Sequence, residues 1–289
     1  MSFQKEKPAF VYKYCSAQRA AQVVQDLKFY FAPVTQLNDL FEFRAASVYQ
    51  ETVDSKYRVF AKRLIADRWF SDFSQAFEVA KSLDSREIDL AYSFFLNQLS
   101  AMLAKVMRYS GVVCFTAERN NQRMWGTYGD KHTGAVLEFS TSTELSRFAA
   151  HLMPVIYTDT KLPICPSELM TERLTIDQWM LGVFLCVKHI HWREESEWRL
   201  LLLADAEQTV EERLVPFERS ALTRIFLGPR ISPDQESLIR NAATKQKPAV
   251  PVFKRRIDDA LATEEYSGVE LIHSFDQLMY WAKASKPNK

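Results

Sequence analysis

Phe10–Tyr14 and Lys28–Phe31 are short runs rich in aromatic residues, the second ended by Pro33, which predicts two short strands. Between them, Ser16 precedes Ala17–Leu27, a stretch with helical spacing, so Ser16 is the expected cap. From about residue 45 to 108 the period changes to three and four (Phe60 and Leu64, then Phe77 and Ala80), with breaks near Ser71 and Asp84. After Gly111 strand patterns dominate: 111–116, 134–139, 154–157, 194–203, 214–217, 224–227 and 250–253. Helices are predicted over 120–129, 142–151, 168–188, 233–245 and 275–284. The absence of regular strand–helix–strand alternation argues against a doubly wound sheet. The pattern predicts one α+β domain over 1–289 with a mixed or antiparallel sheet and a helical insertion at about 45–108, after the second strand.

Charge narrows the partners. Lys and Arg total 37 and Asp and Glu total 36, so no basic excess marks a long nucleic-acid track. Lys254-Arg-Arg256 is followed at once by Asp258-Asp259 and reads as solvated surface. Cys15, Cys114, Cys165 and Cys186 have neither disulfide-framework nor zinc spacing. No signal peptide is evident, and the best apolar run, Met180–Val187, is too short to span a membrane. The expectation is a cytoplasmic protein without a membrane segment.

Glycine-rich nucleotide loops, H-E-x-x-H and G-x-S-x-G are absent. His189 and His191 could pair on a strand, but no third metal ligand is evident, and no metal is expected. The most unusual segment is Trp192-Arg-Glu-Glu-Ser-Glu-Trp-Arg199. On a strand, Glu195, Glu197 and Arg199 share one face, with the carboxylates roughly 6.6 Å apart. Their repulsion is on the order of 2.5 kcal/mol at an effective dielectric of about 20, and Arg199 offsets much of it. Two readings stand: a catalytic acidic face, or an exposed edge strand charged against aggregation. A second constellation, Met124–Gly134, sets Trp125 and Tyr128 three apart on a short helix, with glycines permitting a tight turn into a strand. That suits a wall for a flat ring or ribose, or a staple of helix to sheet. Asn38 and Asp39 read first as turn residues.

In order, Tyr12-Lys-Tyr14, Asn38-Asp-Leu-Phe-Glu42, Cys114-Phe-Thr116, Met124-Trp125 with Tyr128 and Gly134, Val155-Ile-Tyr157, and Lys188, Trp192 and Glu195-Ser-Glu197-Trp-Arg199 resemble the bacterial domain-of-unknown-function family 2971 over roughly residues 10 to 230. The family's usual Arg after Tyr-Lys-Tyr is Cys15 here. A more distant similarity is to ADP-ribosyltransferase-like folds, with a first strand leading into a helix, an aromatic middle segment and a late strand bearing Glu-x-Glu. That similarity implies nicotinamide adenine dinucleotide (NAD) as co-substrate. It assigns Lys13, Tyr14, Ser16, Thr116, Trp125 and Tyr128 to NAD, Glu197 and Glu195 to catalysis, and Asn38 and Arg199 to substrate orientation. The implied role is an NAD-dependent transferase, a toxin or phage-defence effector acting on a protein or nucleic-acid target. The alternatives are a non-catalytic nucleotide- or partner-binding regulatory module, and a metal-dependent nuclease using Asp39, Glu42, Glu195 and Glu197.

Overall fold

A computed structural model describes residues 6–37, 46–48, 52–142, 144–159, 162–164 and 185–254. The strands are β1 (Phe10–Cys15), β2 (Lys28–Tyr30), β3 (Ala32–Pro33), β4 (Ala46–Val48), β5 (Gly111–Thr116), β6 (Ala135–Ser140), β7 (Met153–Pro154), β8 (Ile156–Thr158), β9 (Leu162–Ile164), β10 (Val187–His189), β11 (Glu197–Leu202), β12 (Leu214–Pro216), β13 (Leu222–Leu227) and β14 (Val252–Lys254). The helices are α1 (Ala17–Asp26), α2 (Val53–Ala66), α3 (Phe73–Lys81), α4 (Ser85–Tyr109), α5 (Gln122–Thr127) and α6 (Pro233–Lys245). The architecture is α+β. The main sheet runs β14-β13-β6-β1-β5-β11-β7, with β3 paired to β5, and is antiparallel except for β13–β14. Among the described residues no helix is long and apolar enough to cross a membrane.

Local chemistry explains the elements that frame the site. Ser16 accepts the Arg19 N–H at 3.3 Å and starts α1 as its side-chain cap. Ser232 and Gln235 form a reciprocal capping box at α6, whose first helical residue is Pro233. These two helices pack together on one face of the sheet. There Ala17, Ala20, Val24, Ile239 and Ala243 meet Val113, Phe115, Leu137, Phe139, Trp198 and Leu200 in the main core. Small residues on α1 let the helix approach the sheet closely. Phe29 fills the middle, with ring contacts to Phe115, Phe139, Phe148 and Phe217 at 5.3, 5.1, 5.2 and 4.3 Å. On the opposite face α5 lays Met124 and Trp125 over Tyr14 and Val136.

Several expectations are revised. The run at 45–108 holds β4 and three helices, and the predicted breaks fall between α2 and α3 and between α3 and α4. The helix expected to end at Lys188 does not: Val187–His189 is β10, paired in parallel with β8. Neighbouring β8 supplies the backbone partners that the local helical pattern does not reveal. Predicted helix 142–151 is only a 3-10 helix at Arg147–His151. Residues 38–42, 165–184 and 275–284 of the predicted elements lie outside the described residues.

The glycine cluster also works differently from expectation. No glycine among the described residues has a positive φ; Asp130, Lys131 and His132 do, at 51°, 52° and 70°. Gly134 is instead needed for close approach, since a Cβ there would sit 2.2 Å from the Cys15 carbonyl oxygen at the end of β1. Gly134→Ala is expected to destabilise the chain by about 1–3 kcal/mol, measured by denaturant unfolding, whereas Gly126→Ala, where the added Cβ meets open space, is tolerated.

Candidate functional site

The main sheet is not continuously zipped. β1 pairs with β6 along its whole length, from Phe10↔Ser140 to Cys15↔Ala135, and β11 pairs with β5 from Glu197↔Thr116 to Leu202↔Gly111. Between β1 and β5 the single register pair is Tyr12↔Thr116, so the two strands splay beyond it. A cavity of about 280 Å³ opens in this split. It is lined from both faces of β1, by Tyr12 and Tyr14 and by Lys13 and Cys15, as befits a cavity at the strand's edge. Cys114, Tyr128, Lys188, Glu195, Glu197 and Arg199 line it as well. Its volume is near the lower end, roughly 300 Å³, of small-molecule sites.

A buried charge network makes one wall. Lys188 Nζ donates to Glu195 Oε2 at 2.7 Å and to Glu197 Oε2 at 2.9 Å. Arg199 Nε donates to Glu197 Oε1 at 2.8 Å and its Nη2 to Oε2 at 3.1 Å. Arg199 Nη1 is anchored on the Leu185 carbonyl at 2.6 Å. Tyr128 completes the set by donating its hydroxyl to Glu195 Oε1 at 2.9 Å. Two carboxylates and two cations balance, and all four residues are at most 5% exposed. Trp192 covers the ammonium side of Lys188, its ring centroid 4.8 Å from Nζ.

The backbone delivers these groups by an unexpected route. Glu195 is not on the strand: it ends a 3-10 helix at Ile190–Glu195, and Ser196, at φ 42°, turns the chain into β11. Strand alternation therefore does not relate Glu195 to Glu197; Lys188 gathers both from β10, which pairs with β8. The left-handed Ser196 is fully buried. Glu197 and Arg199, by contrast, do share a strand face. The edge-strand reading is overturned, because β11 lies between β5 and β7 with Glu197–Leu200 buried.

Electrostatics follow from this packing. Burial opposes ionisation of Glu197, but Arg199 and Lys188 outweigh it and hold the carboxyl at about 2. Burial and the Glu195 charge push the Tyr128 phenol above its ordinary range, so it stays a donor. Burial and Glu197 push the Cys114 thiol well up, which makes it a weak nucleophile. Tyr157 accepts the Glu197 backbone N–H at 2.9 Å, and burial followed by Glu197 raises its phenol too.

Of the residues expected at the site, Lys13, Tyr14, Tyr128, Glu195, Glu197 and Arg199 line one cavity. Ser16, Thr116 and Trp125 are not among its lining residues. The Ser16 hydroxyl caps α1; the buried Thr116 hydroxyl accepts the Glu118 N–H at 2.9 Å; Trp125 is 1% exposed and stands behind Tyr14, edge-on at 5.3 Å. Asn38, and the Asp39 and Glu42 of the nuclease reading, lie outside the described residues. Among the described residues no group of three His, Cys, Asp or Glu side chains is arranged for a metal. Sequence reasoning gave no role to Lys188, the centre of the network, nor to Arg19 and Cys114. A lysine closing the apolar run Val183–Val187 is a detectable signal, since such a cation needs a buried counter-charge.

Residues 124–200 match the family model described as "Protein of unknown function (DUF2971)". The matched stretch holds Tyr128, Lys188, Glu195, Glu197 and Arg199, whereas β1 and Lys13 lie before it. No curated protein and no solved structure matches the chain.

Removing Lys188 leaves two buried carboxylates without their shared cation. Lys188→Met is expected to cost about 3–5 kcal/mol in chemical unfolding, against less than about 1 kcal/mol for a change in the exposed pair Arg58–Asp54. The folded Glu197 carboxyl sits near 2, below the ordinary 4.5, so its stabilisation is complete above 4.5 and is lost as the pH falls through about 2. The stability of Glu197→Gln should therefore fall less steeply across that window than that of the parent chain, as read from unfolding curves at each pH.

Proposed function

We propose that the split between β1 and β5 binds a nucleotide-type ligand and that the chain is an ADP-ribosyltransferase-like enzyme with NAD as co-substrate. The observation that carries this reading is the convergence of Lys13, Tyr14, Tyr128, Glu195 and Glu197 on one cavity from β1, the end of α5, the 3-10 helix at Ile190–Glu195 and the start of β11. The reaction breaks the bond between ribose C1′ and the nicotinamide nitrogen. The bonding pair leaves with nicotinamide, and the positive charge spreads over C1′ and the ring oxygen. An acceptor nucleophile then bonds to C1′ and loses its proton.

The chain's own groups suit those demands. Glu197 is ionised at neutral pH and fixed by Arg199, so it provides a preorganised carboxylate for the ribose 2′-hydroxyl and the growing positive charge. Glu195, whose partners are Lys188 and Tyr128, assists activation of the acceptor. Tyr14 and Tyr128 offer ring faces and edges to a flat heterocycle. Lys13 and Arg19 line the same cavity and have no salt bridge among the described residues, leaving their charge for a diphosphate. On this reading the cavity of about 280 Å³ takes the nicotinamide–ribose portion of NAD.

A second reading rests on the same network. Both oxygens of Glu197 are neutralised by Arg199 and Lys188. That favours a non-catalytic module in which the wall recognises a nucleotide without transforming it.

Calorimetry with NAD and chromatographic detection of nicotinamide separate these readings. The enzyme reading expects NAD binding with nicotinamide release, and a loss of release of roughly a hundredfold or more in Glu197→Gln with binding retained. Binding without release by the parent chain selects the recognition module. Unchanged release in a folded Glu197→Gln variant removes Glu197 from the chemistry.

A further inference from the structure

Ser196 joins the two carboxylates of the cavity wall and carries two energetic costs at once. Its backbone is left-handed, at φ 42° and ψ 48°, a conformation that a residue with a Cβ disfavours. Its side chain is fully buried, and its hydroxyl has no hydrogen-bond partner among the described residues. A buried hydroxyl without a partner opposes folding. The other residues with positive φ, Leu27, Arg68, Asp130, Lys131 and His132, are all half-buried or exposed. Ser196 also sits at a mechanical boundary. From Glu197 onward the chain is fixed, because β11 is paired on both edges and Tyr157 holds the Glu197 N–H. Before it, Ile190–Glu195 is a short 3-10 helix, a form with poorer hydrogen-bond geometry, and His191, Arg193 and Glu194 are exposed. Its one buried residue is Glu195, held by Lys188 and Tyr128. Its other ties are side-chain contacts, of Asn121 to the Glu194 carbonyl, of Arg123 to the Glu194 carboxylate, and of Arg123 and Lys188 to the Trp192 ring.

We propose that Ser196 is a hinge and a positioning residue, which frees Glu195 from Lys188 when ligand and acceptor occupy the cavity. The hinge serves the reaction proposed above, in which Glu195 assists the acceptor, and rests on that reading. To meet the acceptor, Glu195 has to leave partners that hold both of its oxygens, Tyr128 on Oε1 and Lys188 on Oε2. Turning residue 196 from the left-handed into the extended region swings the 3-10 helix against the fixed strand and draws Glu195 away. Both costs at Ser196 are then relieved, since the extended backbone is open to any residue and the hydroxyl is moved from its partnerless site. Lys188 retains Glu197, so the buried cation is not left alone. The contacts of Glu195 favour the resting state, and the strain at Ser196 favours the turned one. The acceptor tips the balance by giving Glu195 a new donor in the turned state only.

Two substitutions in the full chain test the hinge. Ser196→Gly removes both the Cβ and the hydroxyl and so favours the resting state, whereas Ser196→Ala removes the hydroxyl alone. Ser196→Gly is expected to raise the urea midpoint and to slow amide hydrogen exchange at residues 190–196 about tenfold. It should also slow nicotinamide release from NAD about tenfold while the Kd for NAD stays within about twofold. Ser196→Ala should be no less stable than the parent chain. A merely structural turn gains the same stability without losing turnover. A Ser196→Gly variant with unchanged exchange at 190–196, or with unchanged nicotinamide release, therefore overturns the hinge. So does a destabilised Ser196→Ala, because the hydroxyl then has a partner in the resting state. A parent chain that does not cleave NAD removes the enzyme reading instead; exchange then decides the hinge alone, with slowing in Ser196→Gly supporting it and no change overturning it.

Discussion

Lys188 between Glu195 and Glu197 is the constraint on which the site depends. Without it the two buried glutamates would lose their shared counter-charge, leaving Arg199 to hold Glu197 alone. The ammonium joins the end of a 3-10 helix to the start of β11, while Arg199 braces the second carboxylate from two residues along the same strand. Tyr128 then ties Glu195 to α5. The cation thereby fixes segments seven and nine residues along the chain, and Glu195 ties them to Tyr128, 67 residues earlier.

The split in the sheet supplies the room. A fully zipped β1–β5 pair would fill this space with strand-to-strand hydrogen bonds and leave no cavity. Instead β1 commits its backbone to β6, and β5 commits its far end to β3 and its other edge to β11. Lys13 reaches across the gap to the Cys114 carbonyl at 3.3 Å, satisfying with a side chain an acceptor in the splayed region. The two-helix layer of α1 and α6 and the aromatic cluster around Phe29 hold the far face rigid. Site precision therefore comes from strands and a packed core more than from loops.

The alternation of apolar residues and the helix caps were local enough to be read directly. Ser16 and Pro233 marked helix starts, Gly111–Thr116 read as a strand, and the breaks near Ser71 and Asp84 separated three helices. Periodicity and capping are set by neighbours within a few positions, so they survive in a single sequence. The wall of Glu195, Glu197 and Arg199 was legible as a concentration of charge beside Leu200–Leu203. Its placement in an interior strand was not, because charged residues on an edge and paired charges in an interior can have the same local sequence.

Tertiary structure alone decided which candidates met. Thr116 and Trp125 look as polar or aromatic as Tyr14 and Tyr128, yet one hydroxyl is taken by a local N–H and the indole stands behind Tyr14. The strand at Val187–His189 required β8 as a partner, and Lys188 acquired its role only when that pairing brought it beside two glutamates. The sequence by itself determined an α+β chain with the charged Glu195–Arg199 segment as its chemical focus. Which side chains share the cavity, and whether their charges are paired, depended on long-range strand pairing and burial, which no local pattern encodes.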